Sequence, residues 1–190
     1  MVNKFLVYGS LEFGQVIRDF IDQCGYEFAG FIDDFNKGEG VIGTLQQAIQ
    51  SHPPSHFNIA IAVGYSDLKA RWQATQKAIR AGYHLPALIH PRAYVRSPNQ
   101  VGSGTIIMAG AIIDSNTSIE ENVVIWPGVV ISHDSRVGAN TFLSPNCTLC
   151  GFVTIGRDCF IGAGATVVNH VTVPEKSFIK ASELYKGPES

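Results

Sequence analysis

From Val101 an aliphatic residue recurs at every sixth position, through Ile107, Ile113, Ile119 and Ile125 and so on to Ile161, Val167, Val173 and Ile179. Two places before each stands a small or β-branched residue, among them Thr105, Ala111, Thr117, Cys147 and Cys159. A period of six fits neither a helix, with 3.6 residues per turn, nor one long strand, whose side chains alternate in twos. It fits a triangular coil in which each of three short sides turns one aliphatic residue inward, so that a full turn takes eighteen residues. Turns stack at the strand spacing of about 4.8 Å, which gives a prism of roughly four and a half coils, about 22 Å high. Residues eighteen apart then lie one above the other, and the sequence becomes a map of the prism's surface.

The first ninety residues follow a different pattern. Lys4-Phe5-Leu6-Val7-Tyr8, Tyr26 to Ile32, Asn58 to Val63 and Leu85 to Ile89 read as strands. Val16, Ile17, Phe20 and Ile21 repeat at helical spacing, and a second helix is expected from about Ser66 to Ala81. Strands alternating with helices predict a small parallel sheet of Rossmann character. The expected organisation is an α/β domain over 1–90 followed by a hexapeptide-repeat β-helix over 91–190.

Charge removes some classes of partner. Fourteen basic against sixteen acidic side chains leave a formal charge of -2 with no basic run, which argues against nucleic acid or an anionic membrane. The apolar run near Met1 is too short for a signal peptide, and no stretch approaches the roughly 18 apolar residues of a membrane span, so a cytoplasmic location is expected. Cys147 and Cys150 have the spacing of a metal or redox pair. The hexad register turns them in different directions, and with Cys24 and Cys159 they read as structural thiols.

Two regions carry candidate chemistry. In Gly9-Ser10-Leu11-Glu12-Phe13-Gly14 the glycines fall at a strand-to-helix turn. Such a turn can offer N–H groups and a helix N-terminus to a phosphate, or can simply be tight. Asp33 and Asp34 end the second strand, where carboxylates can accept from ribose hydroxyls or a base edge, and Gly64 ends the third. In the prism, His133 falls near a corner with Asp134 beside it, as a solvated surface histidine or as a general base oriented by the carboxylate. Gly151, eighteen residues on, shares its line. It is either a glycine that the corner conformation requires or one whose N–H stays approachable to a carbonyl. Ala163 and Ala181, also eighteen apart, form an adjacent line of small residues.

The run Ile155-Gly156-Arg157-Asp158-Cys159-Phe160-Ile161-Gly162-Ala163-Gly164-Ala165 resembles the hexapeptide acyltransferases. With an α/β half whose second strand ends in Asp-Asp, nearly the whole chain resembles the nucleotide-sugar N-acetyltransferases of the bacillosamine and perosamine type and the sialic-acid O-acetyltransferases. The resemblance implies a left-handed β-helix, acetyl-CoA as cosubstrate without a metal, a nucleotide-linked amino sugar as acceptor, and a homotrimer with active sites between subunits. It implies His133 as general base with Asp134 in support, the Gly151 N–H on the acetyl group, and a pantetheine arm along Ala163 and Ala181. Lys180 or Lys186 would meet CoA phosphates or remain solvated. In the α/β half it implies Gly9, Ser10, Asp33, Asp34 and Gly64 around the nucleotide.

The chain departs from the family's pattern in its glycine loop, where Leu11-Glu12-Phe13 replaces a stretch containing histidine, and at Phe142, where many relatives carry a second histidine. Trp126, Pro127 and Phe142 are apolar outside the inward slots and suit subunit contacts or burial under the chain's own loops. Rival readings are transfer to a sugar hydroxyl, a non-catalytic nucleotide-sugar sensor, and a zinc carbonic anhydrase on the same coil. The last needs three histidine ligands, and the six histidines offer no such set within the repeat.

Overall fold

A computed structural model describes residues 2–187. They form two compact units, with the division between Pro86 and Ala87. The first unit runs β1 (Lys4–Tyr8), α1 (Glu12–Gln23), β2 (Glu27–Ile32), β3 (Val41–Gly43), α2 (Leu45–Ser51), β4 (Asn58–Ile61) and α3 (Leu68–Arg80). Its four strands are parallel in the order β3-β2-β1-β4. Phe5, Leu6 and Val7 of β1 are fully buried, as befits an inner strand covered on both faces. Helix α1 buries Ile17, Phe20 and Ile21 at helical spacing, whereas Val16 turns outward.

Three features of this unit differ from the sequence expectation, the first being helix α2, whose seven residues were not foreseen. Strand β3 went unforeseen because three residues are too few to display a period. The segment Leu85 to Ile89 does not supply a further strand to this sheet. Leu85 packs into the α/β core, Pro86 has no N–H for a ladder bond, and only Leu88–Ile89 is extended, paired with Ile106–Ile107 of the second unit. The solenoid therefore starts earlier than residue 91.

In the second unit, two-residue strands stack into three parallel faces. One face carries Leu88–Ile89, Ile106–Ile107, Val124–Ile125, Phe142–Leu143, Phe160–Ile161 and Phe178–Ile179. The next runs from Tyr94–Val95 to Leu184–Tyr185, and the third from Ser118–Ile119 to Thr172–Val173. Every rung is eighteen residues from the next within these faces, as in Val124 beside Phe142, Val130 beside Thr148 and Arg136 beside Thr154. The inward aliphatic positions from Ile107 to Ile179 form a single core.

The small positions also fasten the coils. Thr141 donates its hydroxyl to the Gly156 carbonyl at 3.0 Å and accepts the Cys159 N–H at 3.2 Å, so a buried polar group is satisfied at both ends. Ser135 repeats the arrangement with Cys150 and Val153. Cys147 fills such a slot completely, and burial pushes its thiol up to about 12, which suits packing and not reactivity. Phe142 is buried and contacts Trp126, whereas Pro127 is exposed. Among the described residues no helix is long and apolar enough to cross a membrane.

Candidate active site

The second residue of the β-helix corners is left-handed. Among the described residues, ten non-glycine residues there have φ between 56° and 63°. Asn and Asp tolerate this region because their short polar side chains bond locally, and they fill most of these places. One edge stacks the pairs Ser115-Asn116, His133-Asp134, Gly151-Phe152 and Asn169-His170, joined by Asp134 N–H to Ser115 O, Phe152 N–H to His133 O and His170 N–H to Gly151 O. His133 and Gly151 therefore share an edge.

His133 Nδ1 lies 2.8 Å from Asp134 Oδ2. Hydrogen bonds from His133 and from Asn116 Nδ2, the latter at 3.1 Å to Oδ1, hold the Asp134 carboxyl below its usual range. An ionised carboxylate only accepts, so Nδ1 carries a proton, which leaves Nε2 as the nitrogen that can present a lone pair. Asn116 was missed in the sequence, although counting eighteen residues back from Asp134 leads to it.

Gly151 lies against this ring. A Cβ there would be 3.0 Å from His133 Cε1 and 3.1 Å from Nε2, and the residue does not have a left-handed φ. The glycine thus makes room for the imidazole and is not called for by the turn. Its residue is buried, with the His133 ring over it. Among the described residues its N–H donates to no acceptor. The edge continues in aromatic rings: Phe152 meets His133 edge to face, with centroids 5.3 Å apart and planes at 89°, and stacks on His170 at 4.7 Å and 9°.

Ala163 and Ala181 are exposed, but they occupy a different corner, stacked by the Ser182 N–H to the Ala163 carbonyl. Twelve residues separate Gly151 from Ala163, which is two thirds of a turn, so the outer face of the second sheet lies between the two lines. Lys180 and Lys186 are exposed.

In the α/β unit the sequence-selected residues gather at the carboxyl ends of the strands, where open parallel sheets bind ligands. Asp33 accepts from Ser10 N (3.1 Å) and Ser10 Oγ (2.6 Å) through Oδ2, and from Phe35 N (2.9 Å) and Asn36 N (2.8 Å) through Oδ1. Burial raises its pKa, but these hydrogen bonds outweigh it and leave the carboxyl at about 2. Asp34 accepts from Tyr8 Oη (2.6 Å), Leu45 N (3.0 Å) and Lys77 Nζ (3.2 Å), which likewise overcome burial and lower its pKa. Both acids are committed to tying the loops after β1 and β2 and the start of α2 together. Ser10 serves the same fastening.

Gly9 and Gly14 are required by close approach. A Cβ on Gly9 would meet Ala62 O at 2.8 Å, and one on Gly14 would collide with the Gly9 carbonyl. Helix α1 has no side-chain cap hydrogen bond from its N-cap residue, Leu11. Gly64 precedes the turn leading into α3. The loops after β1, β2 and β4 each carry an exposed apolar side chain, Leu11, Phe35 and Tyr65, with Phe35 92% exposed. A concavity of about 310 Å³ lies beside Asp33, Asp34, Phe35 and Thr44. A larger one, about 700 Å³, is lined by Val2, Lys4 and Phe57 at the opposite, amino ends of the strands.

The commitment of Asp33 makes stability pH-dependent. Its folded pKa of about 2 lies below the ordinary 3.8, so its contribution is complete above pH 4 and is lost as pH falls through 2. Asp33→Asn is expected to destabilise the α/β unit by roughly 2 kcal/mol at pH 7, with the difference from wild type shrinking as the pH falls through 2. Melting curves at a series of pH values check this.

The repeats match the bacterial transferase hexapeptide family (six repeats) at residues 100–133 and 134–169, and residues 4–77 match the PglD N-terminal domain. No curated protein gives a significant match. Among solved structures, the acetyltransferase domain of PglB from Neisseria gonorrhoeae is 28% identical, with a TM-score of 0.85 over 98% of this chain and 94% of that one. The same domain in complex with acetyl coenzyme A is similar over 96% of this chain and 90% of that one, at 28% identity and a TM-score of 0.85. PerB from Caulobacter crescentus, in complex with CoA and GDP-perosamine, is 28% identical with a TM-score of 0.87, covering 100% of this chain and 93% of that one. The shared architecture is an α/β domain followed by a left-handed parallel β-helix.

Proposed function

We infer that this chain, which belongs to the hexapeptide transferases with a PglD N-terminal domain, transfers the acetyl group of acetyl-CoA to the amino group of a nucleotide-linked amino sugar. The observation that carries the reaction is the single edge on which an oriented imidazole lies against a glycine with an uncommitted N–H. The amine attacks the thioester carbonyl carbon, and His133 Nε2 takes the proton that the nitrogen sheds as the C–N bond forms. Asp134 accepts from Nδ1–H and stabilises the imidazolium, with Asn116 holding the carboxylate in turn. The carbonyl oxygen, now an oxyanion, accepts from the Gly151 N–H. Collapse breaks the C–S bond, and the CoA thiolate recovers the proton from His133. No step needs a metal, and among the described residues no group of three potential ligands gathers.

The nucleotide binds at the carboxyl ends of β1, β2 and β4. Gly9, Ser10 and Gly64 shape the loops around the diphosphate at α1, and Asp33 and Asp34 keep those loops in place. Ala163 and Ala181 leave room for the pantetheine arm on their own edge. The active form is a homotrimer with sites between subunits, a reading supported by exposed Tyr94, Ile112 and Leu184 on the β-helix face that borders the His133 edge.

The test is a panel of UDP-, dTDP- and GDP-linked amino sugars, each beside its hydroxy counterpart, incubated with acetyl-CoA and analysed by mass. At least one amino sugar is expected to gain a single acetyl group while its hydroxy counterpart does not. Acetylation of hydroxy sugars alone, or of none, overturns the assignment.

A further inference from the structure

We propose that Phe152 is a positioning residue for the acetyl transfer, held in a backbone conformation it disfavours so that its ring fixes the imidazole of His133. The proposal rests on His133 being the base. Among the described residues, the ten left-handed non-glycine positions are occupied by Asn, Asp, His, Lys and Ser, with Phe152 the one apolar side chain, at φ 59°. A bulky residue in this region is strained, and six of the other nine positions avoid that strain with Asn or Asp. Burial does not compensate, because Phe152 is 47% exposed. Folding alone would therefore favour a short polar residue at this corner. A local rule broken where the ring's aromatic contacts are two imidazoles, one of them the candidate base, points to the site the residue serves.

That site is the ring beside it. The Nδ1 hydrogen bond to Asp134 fixes one atom of the imidazole and leaves the ring free to rock about it. The His133 side chain is itself about half exposed. Gly151 supplies a surface on which the ring rests but nothing that grips it. The perpendicular contact with Phe152 removes the remaining freedom, and Phe152 is in turn stacked parallel on His170. Nε2 is thereby kept aimed where the amine's proton is released, and a small misplacement of a base lowers the rate without weakening binding.

The experiment compares Phe152→Asn, Phe152→Tyr and His133→Ala in the full-length protein. Phe152→Asn is expected to raise the melting temperature by about 2–4 °C as the strain is relieved. It should lower kcat by about tenfold, with KM for acetyl-CoA and for the amino sugar within twofold. The NMR signal of the His133 Cε1–H should move and broaden as the ring is released. Phe152→Tyr, which keeps the ring, should retain kcat within twofold. A kcat within twofold for Phe152→Asn beside an inactive His133→Ala overturns this proposal alone, whereas a fully active His133→Ala overturns the base assignment and this proposal with it. A raised KM at unchanged kcat, or a lower melting temperature with a matching loss of folded enzyme, makes Phe152 a substrate contact or a packing residue and also overturns it.

Discussion

Alanine at position 133 is expected to lower kcat by about 10²-fold or more, with KM for both substrates within a fewfold of wild type. The side chain is about half exposed and belongs to no core, so its removal should leave the melting temperature within a degree or two. The loss then falls on one step. The nitrogen that attacks the thioester becomes positively charged as the new bond forms, and the CoA thiolate is expelled only if that charge is relieved. In the mechanism proposed above His133 Nε2 is the acceptor, since its other nitrogen is occupied by Asp134. Without it the proton goes to water, a weak base. A glutamine in the same place keeps a polar group near Asp134 without a basic nitrogen and should be as slow as alanine. Steady-state thiol release is the measurement, and an alanine variant with near-wild-type turnover removes His133 from the mechanism.

The sequence made this edge visible because a solenoid converts linear spacing into vertical position. Ile107 to Ile179 fixed the register, and the register put Gly151 one coil from His133. The same counting would have reached Asn116 from Asp134, and it set Ala163 and Ala181 on an adjacent line, since twelve residues are not a whole turn. The α/β unit offered no such ruler. Asp33 and Asp34 looked like ligand acceptors because they end a strand. What occupies them instead, Tyr8 and Ser10 at the end of β1 and just after it, Leu45 of α2 and Lys77 of α3, is brought together only in the folded chain. Leu88 and Ile89 have strand composition in either unit, so composition could not say that their partners would be Ile106 and Ile107. Phe152 was legible as a bulky residue after a glycine, but its strain appears only with the backbone angle.

Gly151→Ala is the second large effect expected, a loss in kcat of about 10²-fold with little change in stability. A corner glycine chosen for its backbone freedom would have a positive φ, as Gly128 and Gly164 do, and an alanine there would strain the turn and lower the melting temperature. Gly151 has no such angle, so its backbone accepts alanine. The added methyl instead arrives 3.0 Å from Cε1 and 3.1 Å from Nε2 of the base, closer than carbon and nitrogen atoms ordinarily approach. The imidazole must give by a few tenths of an ångström, which disturbs its bond to Asp134 and its contact with Phe152, and the methyl also stands beside the N–H proposed to meet the oxyanion. On the proposed mechanism one substitution thus crowds the proton acceptor and the approach to the 151 N–H together, and a loss of about 10²-fold is expected although the N–H itself remains. The two explanations for the glycine separate cleanly when kcat and melting temperature are measured on the same preparation. Lost activity with the fold intact supports the steric role, whereas a large drop in melting temperature returns Gly151 to a purely conformational one.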